Sequence, residues 1–196
     1  MTKKEIIWRY VLTQALDEKR LIFTQKDIAK LFNISTSTVF NALRVPRKLG
    51  AIEVTGRFFR LVDKEKLLIL WATMRNIQKD VQYSTYVAEE PKKIEGCMPA
   101  DCIFGAFSSY RLKYQDAPAD YDQIYVYSNN LDEMKKRFPP VVGKKSTKNL
   151  FILKPDPYLS AFGSFTPDVQ TFVDLWNIQK WYSKDYLDAL KKKMNL

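Results

Sequence analysis

The sequence predicts an α+β protein in two parts, three helices and a hairpin over residues 1–62 followed by a small mixed α/β domain over 63–196. Three observations carry this. Apolar spacing is helical from Lys3 to Glu18, from Gln25 to Phe32 and again after Ser35, then switches to period two between Ala51 and Leu61. From residue 63 onward, helical and β-prone segments alternate between proline-marked breaks. Charge is also unequal. Residues 1–62 hold twelve Lys/Arg and five Asp/Glu, which is +7 of the chain's net +10.

Composition narrows the chemistry. With 196 residues, 46% hydrophobic and 14% aromatic, the chain can build a core, and wholesale disorder is excluded. No apolar run approaches the roughly 18 residues of a membrane span. The opening Met1-Thr2-Lys3-Lys4-Glu5 lacks the apolar stretch of a secretory signal. The expectation is a cytoplasmic, nucleoid-associated protein with no membrane partner. There is no histidine, which removes His zinc ligands, a His general base and His-activated nucleophiles. Cys97 and Cys102 alone cannot close a zinc site and read as ordinary thiols. No cofactor, metal or enzymatic activity is expected.

The first helix, Lys3 to Glu18, gathers Ile6, Ile7, Tyr10, Val11, Ala15 and Leu16 on one broad face. Arg20-Leu21-Ile22-Phe23 is a short connector suited to a first strand. Thr24 caps the next helix, Gln25 to Phe32, with Asp27 three residues on in an acidic variant of the capping box. Asn33 tolerates the left-handed backbone at a helix end, and Ser35 caps a third helix containing Val39, Phe40, Ala42 and Leu43. Small Ala29, the turn at Asn33, and Ile34 with Val39 at the joint are what a helix-turn-helix needs. Pro46 is expected to end or kink the third helix at Val45. After Gly50, Ile52 and Val54 alternate on one arm of a hairpin and Phe59 and Leu61 on the other, with Thr55-Gly56 at the turn.

Ser35, Thr36, Ser37, Thr38 and Asn41 form a short polar front able to reach base edges, with Arg44, Arg47 and Lys48 behind for the flanking phosphates. Arg57 lies beside the hairpin tip. The segment resembles winged helix-turn-helix regulators, with the hairpin as the wing. The resemblance implies binding of double-stranded DNA, and a homodimer is expected because two half-sites multiply the discrimination of one helix. The plainer alternative is a winged helix that binds only protein.

In the second part, Asp63 to Lys79 reads as a helix for core packing, a linker or a dimer surface, and Val81 to Val87 as a strand. Glu89 to Lys93 reads as a loop, and Ala100 to Tyr114 as one helix through Ile103, Phe104, Ala106, Phe107 and Tyr110. Gln123 to Tyr127 is the clearest strand and Leu131 to Phe138 a short helix. Asn149 to Leu153 is a further strand, and Pro167 to Trp176 and Ser183 to Met194 are helices. A winged helix followed by the Phe104 to Tyr110 segment, the Ile124 to Tyr127 strand and Val169 to Trp176 resembles the AbiEi family, antitoxin halves of type IV toxin-antitoxin pairs. That resemblance implies an autoregulating DNA-binding protein whose second domain serves oligomerisation or counteracts a cognate toxin.

One constellation argues for an enzyme. Gly105, Ser108 and Ser109 followed by Asp120-Tyr121-Asp122 ahead of Ile124 to Val126 look like a nucleotidyltransferase pattern, in which two carboxylates on one strand face hold Mg²⁺ and phosphates. Against it, Gly and Ser are not adjacent, Ser109 falls inside a helical run, and Asp156 sits between two prolines. The plain reading is two solvated loop carboxylates before an edge strand. Lys144, Lys145 and Lys148, and Lys191 to Lys193, read as exposed charge.

Overall fold

A computed structural model describes residues 1–141 and 147–196. Lys144 and Lys145 lie outside the described residues. The described chain is a mixed α+β fold with two small sheets, and it divides into two compact units, Met1–Arg75 with Lys191–Leu196, and Asn76–Leu190.

The first unit opens with α1 (Lys3–Asp17). Thr2 accepts from the amide of Glu5 while the Glu5 carboxylate accepts from the Thr2 amide at 2.8 Å, a complete capping box. Next come β1 (Ile22–Phe23), α2 (Gln25–Leu31), α3 (Thr36–Lys48), β2 (Ile52–Thr55), β3 (Phe58–Leu61) and α4 (Lys64–Met74). The Thr24 hydroxyl accepts from the Asp27 amide at 3.0 Å and starts α2, and Asn33 at φ +48° turns the chain toward α3. The sheet has order β1-β3-β2, antiparallel throughout. Thr55 faces Phe58, so the hairpin loop is Gly56-Arg57, one residue later than the sequence places it, and Gly56 takes the positive φ of +55° that the turn requires.

Trp8, Val11, Leu12, Phe23, Val39, Phe59, Leu67 and Trp71 are fully buried and make one core. The unit runs past residue 62 because α4 packs Leu67, Leu68, Trp71 and Ala72 inward. Glu5, only 6% exposed, accepts from the Trp71 indole at 3.4 Å and from Arg75 at 3.5 Å, which ties α1 to α4 through a paired buried charge.

Pro46 does not end α3, which continues to Lys48. A proline inside a helix lacks the N–H that would bond the carbonyl four residues back. That carbonyl belongs to Ala42, and the Trp8 indole N–H takes it at 2.9 Å. Pro46 is itself buried.

The second unit contains β4 (Val81–Thr85), α5 (Pro91–Gly96), β5 (Ile103–Gly105), α6 (Ala106–Tyr114), β6 (Ile124–Tyr127), α7 (Leu131–Arg137), β7 (Leu150–Leu153), α8 (Asp168–Trp176) and most of α9 (Ser183–Met194). Its sheet runs β4-β7-β6-β5, with β6 and β7 parallel and the outer pairs antiparallel. Alternation in β6 sends Ile124 and Val126 against Ile94 of α5 and Met134 of α7. Tyr127 points to the other face, where its hydroxyl donates to Asp174 of α8 at 2.6 Å.

Three further expectations change along the chain. The helix expected from Asp63 to Lys79 stops at Met74, where Arg75 is extended, and a separate 3-10 turn follows at Ile77–Asp80. The run from Ala100 to Tyr114 is not one helix, because Ile103 to Gly105 pair with β6 and the helix begins only at Ala106, which makes the junction at φ +48°. Of the loop expected over Glu89 to Lys93, only Glu89 and Glu90 stay outside a helix, because α5 begins at Pro91, in the first turn, where a missing N–H costs nothing.

Candidate nucleic-acid interface

The polar side of α3 is set by what its other side buries. Val39, Ala42, Leu43 and Pro46 pack inward. Ser37, Asn41, Arg44 and Lys48, spaced four, three and four residues apart, therefore share the opposite face, and all four are exposed. Thr36 and Arg47 are exposed beside them. The first turn of α3 carries no acidic residue and the last turn carries Arg47 and Lys48, so nothing on the helix opposes an approaching phosphate.

Three of the expected reading residues, Ser35, Ser37 and Thr38, are hydrogen-bonded locally, although a hydroxyl such as that of Ser37 has both donor and acceptor capacity to spare. The Ser35 hydroxyl accepts from the Thr38 amide at 3.1 Å and lies 2.8 Å from the hydroxyls of both Ser37 and Thr38. Ser35 is therefore the helix cap, and Thr38 is half-buried against it. Arg57 is exposed at the hairpin loop.

Residue-type reasoning missed Phe40. Grouped in the sequence with the apolar residues of the helix, it is 50% exposed. The signal was present in its spacing, three residues from Ser37 and four from Arg44, which puts it on the polar side. With Gln25, Leu43, Arg44, Arg47, Lys48 and Val54 it lines a groove of about 410 Å³.

The Asp120/Asp122 constellation has a different geometry from a paired strand site. Both residues precede β6, which begins at Ile124 and is an interior strand, not an edge. Asp120 is exposed. The Asp122 carboxylate receives the Lys180 ammonium at 2.9 Å and the Tyr182 hydroxyl. Partial burial pushes its pKa up, but these two donors outweigh it and hold it below the usual aspartate value. The Ser109 hydroxyl is buried 3.2 Å from Thr171 and 3.1 Å from Thr166. Among the described residues, no three His, Cys, Asp or Glu side chains are grouped to hold a metal ion.

Cys97 is exposed and Cys102 buried, both as free thiols. Burial pushes Cys102 up to about 11, which leaves it a neutral thiol donating to the Pro99 carbonyl at 2.9 Å. Lys148 is exposed, and Lys191 pairs with Glu65 at 2.5 Å. Among the described residues, no helix is long and apolar enough to cross a membrane. No family model matches the chain, and comparison with curated proteins and with solved structures returns no match either.

Proposed function

We propose that the chain is a sequence-specific double-stranded-DNA-binding transcriptional regulator, with α2, α3 and the β2–β3 hairpin acting as a winged helix-turn-helix. The observation that carries this reading is the composition of one face of α3. Ser37 and Asn41 supply hydrogen-bonding groups for base edges, and Arg44 and Lys48 supply cations for phosphates, all exposed on a single helical face. The excess of positive charge in residues 1–62 supplies the non-specific attraction on which such binding rests. Arg57 adds a cation at the wing.

The reading includes a homodimer, which would place two such helices on two half-sites. A cognate toxin as partner of the second unit rests on the AbiEi resemblance alone. The working site residues are Thr36, Ser37, Asn41, Arg44, Arg47, Lys48 and Arg57, with Ser35 and Thr38 holding the helix start.

The test is fluorescence anisotropy with the full chain, comparing a duplex enriched from a randomised pool with a scrambled one across a salt series. Discrimination of about a hundredfold or more at moderate salt supports the proposal. Equal, weak binding to both duplexes removes it.

A further inference from the structure

We propose that Phe40 reads the 5-methyl group of a thymine in the major groove, as a specificity-determining residue of α3. The inference rests on the DNA-binding reading above and adds the base feature that one side chain selects.

Single exposed apolar residues are common on protein surfaces, so exposure alone says little. The setting of Phe40 is what distinguishes it. It stands on the polar side of α3, and its groove has Leu43 and Val54 as further apolar lining and Arg44, Arg47 and Lys48 as cations. No lining residue is acidic. Such a surface draws phosphates to its cations but offers a polar base edge no partner at Phe40.

The major groove of B-DNA displays one apolar substituent, the thymine methyl, and phenylalanine is among the side chains suited to it. Contact between ring and methyl removes apolar area from water on both sides. Asn41, next along the helix, has an amide able to pair with adenine N6 and N7. The two side chains lie about 100° apart around the helix, so they address neighbouring but separate groups of the site. The recognised element therefore contains a thymine whose methyl matters, in addition to any base that Asn41 reads.

The experiment uses the full chain and the duplex it enriches from a randomised pool. Each thymine is replaced singly by deoxyuridine, which removes the methyl and nothing else. At one position per half-site, affinity should fall about fourfold, the value of one buried methyl-sized group. Phe40→Ala should bind the thymine and uracil duplexes alike. Phe40→Leu, which retains an apolar contact, should keep part of the preference and shows that loss in the alanine variant is not misfolding. The inference is overturned if no deoxyuridine substitution matters, or if the sensitivity survives in Phe40→Ala. In the first case the groove is left to another occupant, such as an acidic protein segment. Failure to enrich any duplex overturns the DNA-binding reading itself and the inference with it.

Discussion

The indole N–H of Trp8 donates to the main-chain carbonyl of Ala42 at 2.9 Å, and Ala42 is the residue whose helical partner would have been the amide that Pro46 lacks. A buried tryptophan of α1 thus completes the hydrogen bonding of α3 and fixes the helix proposed to read DNA. Trp8→Phe keeps most of the packing but removes the donor, leaving a buried carbonyl unpaired at a cost of about 1–3 kcal/mol. Pro46→Ala restores an N–H to the same carbonyl, so Trp8→Phe should cost markedly less in that background. Urea unfolding of the four variants measures the coupling. Equal costs in both backgrounds would show that the indole bond is incidental.

Arg47 and Lys48 should act on DNA of every sequence. Replacing both with alanine should weaken binding to enriched and scrambled duplexes in parallel, and lower the slope of log K against log salt by about two, near one per lost phosphate contact. Anisotropy titrations between low and moderate salt give the slope directly. An unchanged slope would place these side chains off the phosphates.

Asn41 should act on sequence instead. Asn41→Ala is expected to reduce affinity for the enriched duplex about tenfold or more, while scrambled DNA binds as before. The helix itself should be unaffected, because Asn41 is exposed and alanine is the better helix former. A parallel loss on both duplexes would return Asn41 to a general polar role.

How much of this could be read in advance depends on the range of the interaction that decides each element. Thr24, Asn33 and Ser35 act on neighbours within a few residues, so the start of α2, the turn and the start of α3 could be anticipated. The continuation of α3 through Pro46 could not, since the compensating donor lies on α1, thirty-four residues before the carbonyl it serves. Ile103 to Gly105 read equally well as helix, and only pairing with β6 makes them a strand. Phe40 is misread by residue type, because angular position around the helix decides its exposure. The burial of α4 was the expected plain outcome, whereas the inclusion of Lys191–Leu196 in the first unit follows from contacts made far along the chain.

Gly105 owes its identity to the Tyr127 ring. A Cβ placed there would lie 3.0 Å from Tyr127 Cε2 and 3.4 Å from the Tyr125 carbonyl oxygen. Tyr127 is buried and tethered to Asp174, so it has little room to yield. Gly105→Ala should therefore destabilise the second unit by about 1–3 kcal/mol through overpacking. A thermal melt unchanged from the parent would mean that the ring shifts freely.

Asp122 gives the second unit a pH-dependent contribution whose sign is fixed. Its carboxyl is held below the ordinary aspartate value, with Tyr182 and Lys180 outweighing partial burial. The unfolded chain consequently binds a proton at higher pH than the folded one, and the stabilisation is present above the unfolded value, about 4. It is lost as pH falls through the lower folded value. Asp122→Asn removes the titrating group while retaining a hydrogen-bond acceptor. Its melting temperature should lie below the parent's near neutral pH, and the gap should close as the pH is lowered below about 4. The effect is modest, because the carboxylate is largely exposed and solvent screens its pairing with Lys180. In a Tyr182→Phe background, Asp122→Asn should open a smaller pH-dependent gap, since the Tyr182 hydroxyl is one of the two donors that lower the carboxyl. A gap that stays constant across the acid range would assign the effect of Asp122→Asn to packing alone.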